Sequence, residues 1–358
     1  MHIKLFIPGP VDVKEDVLLK LATPQIGHRT KEATNLQKNI EDKMQKVFYT
    51  KNTILLSTSS GSGLMEGSVR SCTKKRVAVF SVGSFGDRWF KMAKTNGVPA
   101  DKFSSKPGFP TTVEMVDEAL ATGKYDVMTV TQNETSTGIM NPVAEIGALL
   151  KSKYPDILFL VDTVSSAGGT KVETDNCGID VNITSTQKCL GLPAGMSLCS
   201  VSDRAIEAAR QVENRGLYFD LVELYDLSKK NHQYPSTPAL PHMFALDYQL
   251  DKIMEEGLDN RFARHIEMAE YVRAWAKKYF ELFVEDPKYL SNTLTTIKNT
   301  RGINVDDLNK KLGERGFMIS NGYGDLKELT FRISHMADYT VDDVKELITN
   351  INDILGLE

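Results

Sequence analysis

Short apolar segments recur along the first part of the chain, and amphipathic helical patterns separate most of them. These segments are rich in Val, Ile, Leu, Phe and Thr, which is the composition of buried strands. They lie at residues 53–57, 77–82, 127–131, 157–161, 181–186 and 197–201. Strands that alternate with helices typically form a parallel sheet covered by those helices. The pattern therefore predicts an α/β fold with a mainly parallel, doubly wound sheet.

The pattern changes after the proline-containing stretch at residues 235–241. A long amphipathic helix is predicted from about 258 to 280, and a closing helix from 341 to 355. Further strands are predicted near residues 292–298, 316–320 and 329–334. This mixture of strands and helices indicates a second, smaller α+β unit.

We therefore predict two domains. Residues 16–245 are assigned to the large domain, and residues 1–15 together with 246–358 to the small domain. A chain of 358 residues with 41% hydrophobic content is long enough to bury a sizeable core in this way. The stretch between residues 201 and 234 gives mixed signals and receives no assignment.

Polar or glycine-rich motifs follow five of the predicted strands. They are the stretches at residues 59–66, 83–89, 132–138, 162–169 and 185–188. The glycines of the first can bend the backbone so that a helix start binds a phosphate, and Phe85 in the second can lie against a planar ring. Each motif alone also fits an ordinary turn. Together they predict one site, because ligands of open α/β sheets bind at the carboxyl ends of strands.

Asp162 and Lys188 give this site its chemistry. A lysine can hold the aldehyde of pyridoxal phosphate as a Schiff base, and a carboxylate can keep the pyridine nitrogen of that cofactor protonated. Taken separately, the lysine is more often a solvated turn residue and the aspartate a helix cap. Because Asp162 and Lys188 follow neighbouring strands, the two residues together favour a site for pyridoxal 5'-phosphate.

The motifs resemble those of the class V aminotransferases, closest to the alanine–glyoxylate and serine–pyruvate branch. The similarity extends over nearly the whole chain and is most specific around Asp162 and Lys188. Its matching stretches are residues 8–10, 60–66, 83–88, 134–138, 162–169, 185–188 and 329–333. The resemblance implies the fold-type I architecture of enzymes that use pyridoxal phosphate.

The resemblance also implies roles for individual residues. Lys188 would hold the cofactor and move a proton, and Asp162 would pair with its pyridine nitrogen. Phe85 and Val164 would lie on opposite faces of the cofactor ring, and Thr135 would bind the ring hydroxyl. The cofactor phosphate would contact residues from two segments of the chain, namely Ser62, Gly63 and Gln187.

Four further positions match the family at the substrate and at the partner subunit. Arg332 would bind the substrate carboxylate as a planar fork, and Gly9 would help to shape the substrate pocket. Tyr234 and Thr237 match a segment that reaches the phosphate from the partner, which implies a homodimer with shared active sites. Leu64 stands where relatives have a polar residue. Arg29 is an alternative group for a carboxylate.

Composition restricts the other possibilities. A net charge of −4 provides no basic field for nucleic acid. The four cysteines, at positions 72, 177, 189 and 199, have neither the spacing nor the histidine partners of a metal site. No apolar run is long enough for a signal peptide or a membrane span, so we expect a soluble, cytoplasmic protein that binds neither nucleic acid nor membrane.

The function predicted from these features is transamination between a small amino acid, alanine or serine, and a 2-oxo acid such as glyoxylate or pyruvate. One alternative is a lyase or cysteine desulfurase of the same fold. A desulfurase needs a nucleophilic cysteine on a mobile loop, and no cysteine follows Cys199, whereas a lyase stays open. The other alternative is a non-enzymatic α/β protein that binds a metabolite, which leaves Lys188, Asp162 and Arg332 without a joint purpose.

Overall fold

A computed structural model describes residues 2–357, and these residues form two α/β units. Their helices are α1 (Glu15–Lys20), α2 (Lys31–Val47), α3 (Gly61–Cys72), α4 (Ser84–Thr95), α5 (Val113–Leu120), α6 (Val143–Lys153), α7 (Thr174–Cys177), α8 (Asp203–Ala209), α9 (Leu221–Asn231), α10 (Leu240–Glu256), α11 (Leu258–Tyr279), α12 (Val305–Glu314) and α13 (Val341–Leu355). Their strands are β1 (Lys4–Phe6), β2 (Thr53–Ser57), β3 (Val77–Ser81), β4 (Ala100–Ser104), β5 (Val127–Thr131), β6 (Asn133–Glu134), β7 (Ile139–Met140), β8 (Leu158–Asp162), β9 (Val181–Ser185), β10 (Ser197–Val201), β11 (Glu281–Leu282), β12 (Leu294–Lys298), β13 (Phe317–Asn321) and β14 (Thr330–Ser334).

Seven strands form the large sheet, in the order β2-β10-β9-β8-β5-β3-β4. Its neighbours pair in parallel except for β10, which is antiparallel to both β2 and β9. Strands such as β3, β5 and β8 are buried at every residue, because helices cover both faces of a parallel sheet. The predicted fold-type I α/β class, with a mainly parallel sheet, is confirmed.

Alternate residues of the central strands pack under helices on opposite faces. Val79 and Leu160 face a cluster that includes Trp89 of α4, whereas Phe80 and Val161 face a cluster with α5 and α6. This alternation follows from the two-residue period of a strand. The sheet is therefore held rigidly between its helices, and its strand ends are fixed points for a site.

The second unit is a five-stranded sheet in the order β1-β13-β14-β12-β11, with α11, α12 and α13 packed on it. The amino-terminal strand β1 lies parallel to β13, and Phe6 of β1 stacks on Tyr339 with ring centroids 4.2 Å apart. Helix α13 begins with a capping box between Thr340 and Asp343, a strong start signal. The chain ends of this unit are thus tied into one core.

Two regions differ from the expectations. The domain boundary placed at residue 246 lies inside α10, and the apolar face of this helix packs with α2 in the large unit, through Leu246, Leu250 and Ile253. A helix that buries its face in one core cannot be divided between two domains. The unassigned stretch after residue 201 forms the short helices α8 and α9, whose first turns are capped by Ser202 and Asp220.

Within residues 2–357, none of the helices combines the length and the apolar character that a membrane crossing requires. The cytoplasmic location stays a prediction.

Candidate functional site

Five strands that run in the same direction end at one edge of the large sheet: β2, β3, β5, β8 and β9. The motifs singled out in the sequence follow these strand ends. Strands β9, β8, β5 and β3 are consecutive in the sheet, and only β10 separates β2 from β9, so the motifs converge on one crevice. The small unit covers this crevice through β14 and the loop before it, since Arg332 of β14 contacts Thr135 of the large unit.

Asp162 is the last residue of β8 and is 3% exposed. Its Oδ1 accepts a hydrogen bond of 2.8 Å from the backbone N–H of Val164. No cation of the described residues lies within salt-bridge distance of the carboxylate, and burial raises the pKa of Asp162 to about 6. A buried carboxylate of this kind is unfavourable by itself, so it is suited to a cationic ligand group.

Lys188 lies in the turn that follows β9, three residues after Ser185, and its Nζ donates to the carbonyl oxygen of Pro8. Burial lowers the pKa of Lys188 to about 8, so about a tenth of the amine is neutral and nucleophilic at pH 7, far more than for an ordinary lysine. Gly9 has φ +102°, and a Cβ atom there would lie 2.5 Å from Lys188 Nζ. Glycine at position 9 therefore leaves the space in which the lysine side chain lies.

Helix α3 begins beside Asp162 and Lys188. Its N-cap residue, Ser60, makes no side-chain hydrogen bond to the first turn, so N–H groups at the helix start are suited to an anion. Gly61 donates to Ser185 Oγ at 3.2 Å, and a Cβ atom at Gly61 would lie 2.5 Å from Val164. Gly61 and Gly63 thus belong to the first turn of the helix.

Phe85 lies in the first turn of α4, and two charged residues fix its surroundings. The guanidinium carbon of Arg88 is 4.7 Å from the ring centroid, and Arg88 Nη1 donates to Ser62 Oγ at 3.0 Å. The buried carboxylate of Glu134 accepts hydrogen bonds from the N–H groups of Phe85 and Gly86, each 3.0 Å long. Glu134 thereby joins the start of α4 to the turn that carries Thr135.

Thr135 and Arg332 meet where the two units touch. Arg332 Nη1 donates to the Thr135 carbonyl oxygen at 2.9 Å, and Arg332 Nε donates to the Asn321 carbonyl oxygen at 3.1 Å. Burial lowers the pKa of Arg332 to about 10, which still leaves the guanidinium charged at neutral pH. Its remaining N–H groups can bind a carboxylate along the edge of the guanidinium plane.

The segment with Tyr234 and Thr237 lies beside the start of α3. The Tyr234 hydroxyl accepts a 3.4 Å hydrogen bond from Thr58 N–H of the same chain and is buried, whereas Thr237 is exposed. Arg29 donates to the carbonyl oxygens of Tyr234 and Pro235, at 2.7 and 2.9 Å. Arg29 therefore holds this segment in place, and its role as an alternative carboxylate group stays a prediction.

Comparison with known proteins agrees with this arrangement. The family model of class-V aminotransferases matches residues 19–347. The chain belongs to the class-V aminotransferases. An uncharacterized aminotransferase of Methanocaldococcus jannaschii is 36% identical over 341 residues, which is 93% of this chain and 87% of that protein. The alanine–glyoxylate aminotransferase of Oryctolagus cuniculus is 30% identical, over 99% of this chain and 93% of that protein.

Solved structures of the family have the same fold. The crystal structure of an alanine–glyoxylate aminotransferase from Nostoc sp. matches with a TM-score of 0.93 and 27% identity, over 99% of this chain and 96% of that chain. The predicted transaminase class is thereby confirmed. Class-V aminotransferases use pyridoxal phosphate, and this enzyme is a pyridoxal-phosphate-dependent aminotransferase.

The residues of this aminotransferase fit the cofactor. Pyridoxal phosphate has a pyridine nitrogen, an aldehyde and a phosphate. Asp162 is a buried carboxylate with no cation of the described residues within salt-bridge distance. Lys188 is a buried amine of lowered pKa, and Ser60 begins a helix without a side-chain cap. Each cofactor group therefore has a matching group within one crevice.

Arg88, Glu134 and Tyr323 of this aminotransferase were not predicted as site residues from the sequence. Arg88 and Glu134 lie inside motifs that were predicted to bind a ligand. The feature that could have identified them is a charged residue within a short run of small polar residues. Tyr323 stands between Gly322 and Gly324 in the loop after β13, a pattern that indicates a side chain presented on a tight turn. The contacts of all three depend on which strands become neighbours.

Proposed function

We propose that this enzyme transfers the amino group of a small amino acid, alanine or serine, to a 2-oxo acid such as glyoxylate or pyruvate. The observation that supports this most directly is the pair of Lys188 and Arg332: a buried amine and a buried guanidinium without a carboxylate partner in the described chain. An α-amino acid has the reacting Cα next to a carboxylate that can satisfy such a guanidinium. Relatives named for alanine and serine as donors, with glyoxylate as acceptor, support the choice of substrates.

Asp162 and the start of α3 would hold the cofactor. When bound, pyridoxal phosphate supplies a ring that accepts electrons from the substrate Cα. The Asp162 carboxylate would pair with the pyridine nitrogen, and Thr135 would bind the ring hydroxyl. The phosphate would lie against Ser62, Gly63 and Gln187.

Lys188 would take the proton from the substrate Cα and deliver it to the cofactor carbon that carries the aldehyde, on the other side of the amino nitrogen. A general base is most effective when its pKa is close to the working pH, and burial brings the pKa of this amine to about 8. Gly9 and the Pro8 carbonyl oxygen border the Nζ atom. They leave the amine room to move and keep bulky side chains away from it.

Arg332 would bind the α-carboxylate of both the amino acid and the oxo acid. Its two hydrogen bonds to backbone carbonyl oxygens orient the guanidinium before a substrate arrives. A guanidinium that is already oriented reduces the entropic cost of binding the carboxylate. The same residue therefore serves both halves of the transfer.

The active form in this proposal is a homodimer. Tyr234 is buried against Thr58, just before α3 of its own chain. Ser236 and Thr237 are exposed, so this part of the segment can reach a partner. Sedimentation of the cofactor-loaded enzyme tests the dimer. A monomer with full activity would contradict it.

A panel of amino donors with glyoxylate and with pyruvate tests the proposed reaction. We expect more than one equivalent of alanine or serine per active site to be consumed only when a 2-oxo acid is present, with one amino acid formed for each one consumed. A lyase would release product without an acceptor. The four cysteines are free and buried, and burial raises the pKa of Cys189 to about 12, so sulfur transfer from cysteine is not expected.

A further inference from the structure

The ring of Tyr323 lies over the guanidinium of Arg332, with 5.5 Å between the guanidinium carbon and the ring centroid. Arg332 is 7% exposed, and among residues 2–357 no carboxylate is within salt-bridge distance of it. A buried charge without a counter-ion is unfavourable, and the face of an aromatic ring is partly negative. In the absence of substrate, Tyr323 therefore balances part of the Arg332 charge.

The ring also restricts how the guanidinium can turn. Hydrogen bonds to the carbonyl oxygens of Asn321 and Thr135 fix two points of the guanidinium plane, and the guanidinium carbon lies over the ring of Tyr323. A carboxylate binds a guanidinium through its N–H groups, along its edge and in its plane. The contact with the ring is not a hydrogen bond, so Tyr323 restricts Arg332 without using the N–H groups that a carboxylate needs.

The loop that carries Tyr323 has a defined geometry. Asn321 Oδ1 accepts hydrogen bonds from the N–H groups of Gly322 and Glu328, at 2.8 and 2.9 Å. A Cβ atom at position 322 would lie 1.9 Å from the Leu326 carbonyl oxygen, so the loop can close in this way only with glycine there. The position of the Tyr323 ring is therefore set by its own loop.

Core packing does not account for the ring. Tyr323 is 40% exposed and borders a cavity of about 280 Å³ between the two units, with Ser136 and Phe283 on its other sides. Its aromatic neighbour is Phe85 of the large unit, with ring centroids 6.0 Å apart. Removal of an exposed ring affects fold stability little, so an effect on ligand binding can be separated from unfolding.

We propose that Tyr323 is a positioning residue that orients Arg332 for the carboxylate of the substrate. This inference rests on the proposed function, in which Arg332 binds the α-carboxylate. It applies equally to amino acids and 2-oxo acids, because both have this group. Tyr323 touches neither the amine of Lys188 nor the carboxylate of Asp162 in the contacts described. Because its ring does contact Phe85, the visible spectrum of each variant must first show that the cofactor is fully bound.

The experiment uses the cofactor-loaded enzyme and three variants. Tyr323→Leu removes the ring face, Tyr323→Phe keeps it, and Leu329→Ala changes an exposed apolar residue of the same loop, 64% exposed. Calorimetric titration with propionate, which has a carboxylate and no amino group, measures the binding step alone. Steady-state kinetics with the amino acid give KM and kcat separately.

For Tyr323→Leu we expect propionate to bind about tenfold more weakly, as for the loss of a partly desolvated cation–π contact. KM should rise by a similar factor while kcat changes by less than about threefold, because the chemical step keeps its groups. Tyr323→Phe should restore binding, and Leu329→Ala should resemble the wild type.

Unchanged propionate binding in Tyr323→Leu would overturn the inference, and so would an equal loss in Tyr323→Phe or in Leu329→Ala. Arg332→Lys distinguishes this result from a failure of the proposed function. If Arg332→Lys binds propionate normally, the carboxylate site itself is wrongly assigned. If Arg332→Lys loses propionate binding while Tyr323→Leu keeps it, only the role of Tyr323 is wrong.

Discussion

Replacement of Asp162 with asparagine separates the effect of this carboxylate on stability from its effect on catalysis. Burial raises the pKa of Asp162 from 3.8 to about 6, a difference that corresponds to about 3 kcal/mol. Because the pKa is higher in the folded state, this group stabilises the fold fully below pH 3.8, and the contribution is lost as the pH rises through about 6. At pH 8 the cofactor-free enzyme therefore holds an unfavourable buried charge, which asparagine lacks.

Urea denaturation of the cofactor-free proteins measures this effect, at equal protein concentration because a dimer would depend on it. At pH 8 we expect Asp162→Asn to be more stable than the wild type by up to about 3 kcal/mol. At pH 5 the difference should fall to about half, because the wild-type carboxyl is then largely protonated in the folded state. Asparagine can keep the hydrogen bond from Val164 N–H, so the change in charge dominates.

The same variant should be a poor enzyme. Without the charge that pairs with the pyridine nitrogen, turnover at saturating cofactor should fall by about 100-fold or more. Asp156→Asn is the matched control, since Asp156 is exposed just before the other end of β8. Equal or lower stability of Asp162→Asn at pH 8, or a stability difference that does not change with pH, would refute the reasoning on the buried charge. Near-normal turnover would refute the catalytic role.

Four other outcomes follow from the site. The lysine of Arg332→Lys cannot form two parallel hydrogen bonds, so kcat/KM for amino and oxo acids should fall by a factor that corresponds to about 2–4 kcal/mol of transition-state stabilisation. Unchanged kinetics would show that Arg332 has a structural role only. The rate at which the cofactor attaches to the cofactor-free enzyme should rise with pH through about 8, because only the neutral Lys188 amine reacts. Visible absorbance measures this rate. A rate that still rises at about pH 10, near the ordinary lysine pKa, would contradict the lowered pKa. Gly9→Ala places a methyl group 2.5 Å from Lys188 Nζ, so it should slow this attachment, and normal attachment would show that the space is not needed. Glu134→Gln replaces one acceptor oxygen with a donor beside two N–H groups, so the visible circular dichroism of the bound cofactor should change, whereas an unchanged spectrum would separate Glu134 from the ring site.

The fold was largely predictable because its strands are continuous apolar runs. Strands β2, β5 and β10 have the predicted bounds, and helix α13 has both of its predicted ends. The edge strand β4 was missed, since its alternate residues Lys102 and Ser104 face solvent and the half-buried Asp101 adds a second charge. The amino-terminal strand β1 has only three residues, and such a short segment becomes a strand through its pairing with β13.

The candidate site was predictable where chemistry and strand position coincide. Asp162 and Lys188 each follow an apolar run, and the sheet order brings those runs together. The contacts of Arg88 and Glu134 join segments far apart in sequence; Glu134 and Phe85, for example, are 49 positions apart. No local pattern encodes a hydrogen bond of that kind, so it required the folded chain.

The assignment of Lys188 is the central claim, and borohydride reduction of the cofactor-loaded enzyme tests it most directly. Reduction fixes the cofactor to the amine that holds it, and mass spectrometry of the digested protein identifies the peptide. We predict one pyridoxyl group on the peptide that contains Lys188, with loss of the visible band, and no covalent label in Lys188→Ala. A pyridoxyl group on any other lysine would contradict the account.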